Sequence, residues 1–227
     1  MRLVIRGGTV YDPGSFREGA QEDLLVEQDR VVSRLDGVDQ VIDARGLAVL
    51  PAGIELRSTV AGYGWNYARL WGGLPSPRSL GETYARLGYT HIHEPWLTFA
   101  TAGYVHQELA AIPFVDTSAS LTLNLREFDI RLRDGAALPE VSEAWAYLLE
   151  HCRALNLRVV EPYIDYRQDF YRHRSMPLAA VVDVLIKITE ASGLPLTLEA
   201  TPELLALDLP ALPMLHLGCI GPALVDE

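Results

Sequence analysis

Two histidines and a glutamate stand together in one short segment, at His91, His93 and Glu94. On a β-strand, His91 and His93 would point to the same face, because side chains alternate along a strand. A His-x-His pair of this kind can bind zinc or iron. A third ligand could come from one of three other residues: Glu161, Glu199 or His216. The alternative interpretation is that both histidines are hydrogen-bonded at a polar end of the fold, without a metal.

The two cysteines offer less chemistry. Cys152 falls on the apolar face of a predicted helix, which indicates a core residue. Cys219 follows His216 near the end of a predicted strand, and a Cys–His nucleophilic pair would need spatial contact and an orienting third group. Two cysteines cannot form a disulfide framework, so we expect reduced thiols and a cytoplasmic protein.

Charge and hydropathy exclude several classes of partner. The chain has 227 residues, with 19 basic and 30 acidic ones, and its net charge of -11 disfavours nucleic acid and anionic membranes. No run of about eighteen apolar residues is present, which argues against a transmembrane helix. The apolar start of the chain is soon interrupted by Gly7-Gly8, so we expect no signal peptide.

The elements that must position these residues fall into two patterns. Residues 1–50 predict a small β unit, in which Gly7-Gly8 interrupts the first strand and Gln28-Asp29-Arg30 forms a hairpin turn. Residues 51–227 predict strands alternating with helices, the pattern of a parallel sheet or (β/α) barrel. We predict about six strands after residue 48, whereas a full barrel has eight and about 250 residues, so the barrel would be incomplete.

The connections in this second region are predicted as follows. Residues 63–78 contain glycines, prolines and tryptophans and predict a long loop, whose aromatic side chains could form a patch for another subunit. Ser79 predicts the start of a helix, with Glu82 completing a capping box. An open barrel would leave two sheet edges and an uncovered apolar wall, so we expect a second copy or another subunit to cover them.

Several segments resemble a known family. The order of the strand, "GGTVYDP", the hairpin and "VIDARGLAVLPAGIE" resembles the amidohydrolase superfamily. The segments 60–70, 84–95, 106–123 and 157–163 are similar to the A subunit of the formylmethanofuran dehydrogenase and formyltransferase/hydrolase complexes. The resemblance implies an α/β fold: an incomplete TIM-like (β/α) barrel of the amidohydrolase type with a small N-terminal β-sandwich portion. It also implies other subunits of such a complex, or a homo-oligomer, as partners.

The chemistry implied by the resemblance is the hydrolysis or formation of an N-formyl bond at a two-metal site. In that family a His-x-His pair and a carboxylated lysine bind the metals. The corresponding positions here hold Arg57, Thr59 and Arg158, and arginine has no lone pair for a metal and forms no carbamate. Lys187 is the only lysine and falls within a predicted helix.

Little remains of the other ligands that the resemblance implies. Glu199 lies where a histidine is expected, His216 matches a second one, and the final aspartate has no counterpart. We expect Arg57 and Arg158 to point into the former metal pocket and to share a carboxylate such as Glu161 or Glu199.

The sequence therefore predicts a non-catalytic homologue of the A subunit, without cofactor or metal, that is structural or binds partners. One alternative is a hydrolase of non-peptide C–N bonds, the N-formyl amides, with a site rebuilt around His91, His93 and Glu94. A fragment of a longer gene and a small-ligand binding module stay open.

Overall fold

The computed structural model describes residues 1–123, 125, 138–160 and 177–218. The chain divides into two compact units, Met1–Gly53 and Ile54–Glu227. Among the described residues, no helix combines the length and the apolar character needed to cross a membrane.

The first unit is a five-stranded sheet. Its strands are β1 (Arg2–Asp12), β2 (Arg17–Glu27), β3 (Arg30–Val32), β4 (Gln40–Asp43) and β5 (Ala48–Val49). The order is β3-β2-β1-β4, and β5 also pairs with β1. The predicted hairpin is confirmed: β2 and β3 are antiparallel, and Gln28 turns the chain with a positive φ of 59°. Gly7-Gly8 interrupts the regular pairing of β1 without ending the strand, because the register with β2 shifts between Ile5 and Gly8 at a bulge.

The second unit is built on a six-stranded sheet. Its strands are β6 (Gly53–Glu55), β7 (Tyr89–Leu97), β8 (Asp116–Leu123), β9 (Asn156–Val159), β10 (Leu196–Glu199) and β11 (Leu215–Gly218). Their order in the sheet follows the chain from β6 to β11, and the pairings from β7 onward are parallel. Strands that succeed one another in this way form a (β/α) barrel when the sheet closes. Within the described ranges the sheet ends at β6 and β11, so the barrel is incomplete, as predicted.

In the described ranges, six α-helices accompany this sheet. They are α1 (Gly62–Arg69), α2 (Pro77–Arg86), α3 (Ala102–Ala110), α4 (Leu138–His151), α5 (Leu178–Ser192) and α6 (Pro202–Leu205). The predicted loop over residues 63–78 is wrong, because α1 occupies its first half. Tertiary contacts hold this glycine-containing helix: the Gly62 N–H donates to Glu108 (2.9 Å), and Arg69 forms an ion pair with the same carboxylate (2.5 Å).

Helix α2 begins earlier than predicted. Ser76 is its N-cap and accepts a hydrogen bond from the Ser79 N–H (3.1 Å), while Pro77 occupies the first turn. Glu82 forms an ion pair with Arg78 (2.9 Å) instead of completing a capping box. The helix start was predicted at the wrong serine because Ser76 and Ser79, three residues apart, can both act as an N-cap.

The hydrophobic core lies on one side of the six-stranded sheet. Ile92, Leu121 and Leu198 point from the strands toward the helices and are almost fully buried with Trp145 and Leu185. The alternate positions of the same strands carry polar side chains. On the described strands, the face opposite the core is therefore largely polar, which differs from the apolar wall expected from the sequence.

Candidate functional site

A cavity of about 700 Å³ lies over this polar face. It gathers polar residues from five strands and from the loop after β6: Arg57, His93, Ser120, Asn156, Arg158, Thr197 and His216. Its apolar walls are Leu56, Pro95, Leu155, Pro195 and Leu217. The cavity therefore unites four of the residues singled out from the sequence: Arg57, His93, Arg158 and His216.

A row of hydrogen bonds crosses the strands beneath the cavity. The His93 Nε2–H donates to Ser120 Oγ (2.6 Å), and the Ser120 hydroxyl donates to Asn156 Oδ1 (2.6 Å). The Asn156 amide then donates to Thr197 Oγ1 (2.6 Å). Sequence reasoning missed the serines and the asparagine. Their signal was present, because polar residues recur at every second position of these strands.

The two histidines lie side by side and share a serine. Ser118 Oγ is 2.7 Å from both His91 Nε2 and His93 Nδ1. Burial, followed by the electrostatic effects of His91 and Arg158, lowers the pKa of His93 from 6.5 to about 4. His93 is therefore neutral near pH 7, with both ring nitrogens bonded to serines. This is the hydrogen-bonded arrangement considered as the alternative to a metal site.

The residues present do not fit the two-metal group that the resemblance implies. Across the described ranges, no group of three or more His, Cys, Asp or Glu residues is close enough to hold a metal ion. Glu161 and Cys219 lie outside the described residues. The absence of a metal from the protein stays a prediction.

Glu94 does not join the two histidines. It is fully buried, and its Oε2 accepts hydrogen bonds from the N–H groups of Val60 (2.7 Å) and Ala61 (2.9 Å). Its Oε1 accepts one from the Trp96 N–H (3.0 Å). Burial raises the pKa of this carboxyl, and the three backbone donors oppose the rise. Glu94 therefore anchors the loop after β6. The alternative prediction placed Glu94 in one site with His91 and His93, and for Glu94 that prediction is wrong.

Arg158 is the charged centre of the cavity. Only 4% of it is exposed, and its Nη2 lies 3.1 Å from Glu199 Oε1. Its Nη1 donates to the Pro95 carbonyl (3.2 Å), and its guanidinium carbon lies 4.3 Å from the ring centre of Trp96. Arg158 thus has the carboxylate partner expected from the sequence.

Arg57 and Thr59 depart from expectation. Arg57 lines the cavity but is exposed, and its side chain forms no ion pair with Glu199, so the two arginines do not share that carboxylate. Thr59 has a positive φ of 44° and does not line the cavity; its methyl group faces Gly64 of α1 instead. The loop between β6 and α1 turns sharply here, which a strand-based alignment cannot anticipate.

The remaining candidates lie as the sequence suggested. His216 is exposed on β11 at the cavity. Lys187 is on the surface of α5, paired with Asp183 (2.6 Å) and remote from the strands' polar face. Cys152 is buried at the end of α4, and burial raises the pKa of its thiol.

Comparison with known proteins gives named relatives, although no family model matches the chain. The A subunit of the formyltransferase/hydrolase complex Fhc of Methylorubrum extorquens is 33% identical over 179 residues and covers 70% of this chain. Protein FwdA of Methanocaldococcus jannaschii is 25% identical over 182 residues and covers 71%. The chain spans 32% of the length of each of these relatives.

Comparison with solved structures identifies the same complex. A chain of the formyltransferase/hydrolase complex FhcABCD from Methylorubrum extorquens, determined with methylofuran, matches with a TM-score of 0.74 and 28% identity. The match covers 87% of this chain and 42% of that one. Phenylurea hydrolase B shares the fold at 15% identity and a TM-score of 0.50, covering 90% of this chain and 56% of its own. The chain therefore has an amidohydrolase-type fold and belongs to the family of the A subunit of the formylmethanofuran dehydrogenase and formyltransferase/hydrolase complexes.

Proposed function

We propose that this protein is a non-catalytic homologue of the A subunit, with a structural or partner-binding role in a cytoplasmic complex of one-carbon metabolism. One observation carries the proposal. Arg158, paired with Glu199 and stacked on Trp96, is buried where the resemblance expects the carboxylated lysine that bridges two metals. Arginine can neither form that carbamate nor donate a lone pair.

The charge of Arg158 adds a physical obstacle. Like charges about 4 Å apart repel by about 4 kcal/mol per pair of unit charges at the effective dielectric of a protein site. A divalent metal would meet about twice that repulsion from the guanidinium, and the Glu199 carboxylate beside Arg158 would offset part of it. His93 does not compensate, because both of its ring nitrogens are bonded to serines.

Two surfaces support a role in assembly. In the part of the chain that the structure describes, β6 and β11 are edge strands of the six-stranded sheet, and edge strands offer unpaired backbone groups to a partner. Helix α1 and the turn that follows it also expose a row of aromatic rings, Tyr63, Tyr67 and Trp71, with successive ring centres 6.5 and 6.3 Å apart. FhcABCD is a multisubunit complex, so other subunits or a second copy of this chain are the proposed partners.

Metal content and activity test the proposal together. We expect substoichiometric zinc, iron and nickel in protein purified from metal-supplemented cultures, measured by inductively coupled plasma mass spectrometry, and no hydrolysis of an N-formyl amide. The His91→Phe/His93→Phe variant is the control that identifies metal held by the histidine pair. About two metals per chain together with formyl-amide hydrolysis would overturn the proposal.

A further inference from the structure

We propose that the cavity over the polar sheet face binds a small monocarboxylate with an apolar body, held by Arg57 and Thr197. The inference does not rest on the proposed function, because an enzyme and a non-catalytic homologue could both use such a site. It follows from the direction of the hydrogen bonds in the cavity floor and from the composition of its walls.

The hydrogen bonds leave the hydroxyl of Thr197, a residue that lines the cavity, as an unused donor. Thr197 Oγ1 accepts a hydrogen bond from the amide nitrogen of Asn156. The amide oxygen of Asn156 accepts the hydrogen bond that the Ser120 hydroxyl donates. The Thr197 hydroxyl proton is therefore still available, and no acceptor for it lies among the described residues. A ligand that offers a hydrogen-bond acceptor at this point would complete the row of bonds.

Arg57 supplies the second donor and the charge. Its side chain lines the same cavity and has no hydrogen bond or ion pair to any described residue; only its backbone N–H is engaged, by Glu55. Arg158 is paired with Glu199, whose carboxylate also lies at this face. The charges of Arg158 and Glu199 cancel each other. Arg57 therefore gives the described residues around the cavity one net positive charge.

These charges favour a monoanion. A dianion such as phosphate would meet the Glu199 carboxylate and a chain of net charge -11 with only one uncompensated arginine. The guanidinium fork matches a carboxylate in two parallel hydrogen bonds. The apolar walls indicate that the rest of the ligand is apolar. Leu56 and Leu155 are 70% and 64% exposed beside the cavity, and an apolar ligand body would cover them.

Calorimetric titration with three probes tests the site. Sodium benzoate is the monocarboxylate, benzamide is its neutral isostere and inorganic phosphate is the dianion. We expect benzoate to bind with one ligand per chain, and the other two to bind about tenfold more weakly or worse, because a hydrogen bond to a charged group carries that much affinity.

Variants assign the contacts. Arg57→Gln and Thr197→Val should each weaken benzoate binding about tenfold or more, whereas Thr197→Ser, which keeps the hydroxyl, should retain it. Arg86→Gln removes a surface charge from α2 outside the cavity and should leave binding unchanged; circular dichroism verifies the fold of each variant. No benzoate binding, equal binding of benzamide or phosphate, or wild-type affinity in Arg57→Gln or Thr197→Val would each overturn the proposal.

Discussion

The buried pair of Arg158 and Glu199 should show strong energetic coupling. Their side chains are 5% and 19% exposed, and their charged atoms lie 3.1 Å apart. Replacing Arg158 with Met leaves the Glu199 carboxylate largely buried without this partner. Replacing Glu199 with Leu leaves the same problem for the guanidinium. We expect each single change to lower the free energy of unfolding by about 3 kcal/mol.

The double variant should lose much less than the two single variants together. Arg158→Met/Glu199→Leu removes both charges, and the remaining cost includes the lost stacking on Trp96 and the lost bond to the Pro95 carbonyl. We expect a total loss of about 3–4 kcal/mol and therefore a coupling energy of about 2–3 kcal/mol. Urea denaturation at pH 7, followed by tryptophan fluorescence and circular dichroism, measures all four proteins.

The chain offers a matched pair on its surface. Lys187 and Asp183 are 2.6 Å apart on α5, but their side chains are 56% and 59% exposed. The cycle of Lys187→Met and Asp183→Leu should give a coupling of only about 0.3–0.5 kcal/mol, because water screens the pair. If the coupling of Arg158 with Glu199 is no larger than this, the argument from burial is refuted.

Three further predictions concern packing, protonation and assembly. Gly81→Ala should destabilise the protein by about 1–3 kcal/mol, since a Cβ there would lie 2.0 Å from the Pro113 carbonyl oxygen. Gly103→Ala should stabilise α3 by about 0.5–1 kcal/mol, because a Cβ there meets nothing within 4 Å. Urea denaturation measures both changes. The His93 ring should titrate near pH 4 by NMR. The free energy of unfolding should fall as the pH drops from 6.5 toward 4, because His93 is protonated in the unfolded chain over this range and stays neutral in the folded one. Light scattering at micromolar concentration should show a dimer or larger assembly, or a complex with another subunit, because edge strands are rarely left bare.

Each of these expectations has an outcome that contradicts it. Equal melting of the Gly81 and Gly103 variants would contradict the packing argument. A His93 pKa near 6.5 would show that the ring is accessible to water. A stable monomer with one cooperative melting transition would count against assembly through the sheet edges.

The alternation of strands and helices was predictable because it depends on local periodicity. Cys152 was predicted on the apolar face of a helix, and it is buried at the end of α4 as that pattern requires. Helix α1 was missed because its glycines lower the intrinsic helix propensity, and the ion pair that holds it comes from Glu108, far along the chain. Propensity alone contains no information about such a partner.

The candidate site was only partly predictable. The types of Arg57 and Arg158 predicted, without a structure, that these two positions hold no metal ligand, because arginine has no lone pair to donate. The row from His93 to Thr197 depends on the register of four parallel strands, which pairs Ser120 with Asn156. Register is set by packing across the whole sheet, so it could not be derived from one sequence.

The polar face of the six-stranded sheet also has a calorimetric consequence. A closed barrel buries apolar side chains both inside the sheet and beneath its helices, whereas the described strands bury them on the helix side alone. Exposure of apolar surface is what makes the heat capacity of unfolding positive, and exposure of polar surface lowers it. The second unit should therefore unfold with a heat-capacity change per residue below the usual value of about 12–15 cal/mol/K. Its stability would then vary less steeply with temperature than that of a complete barrel of equal length.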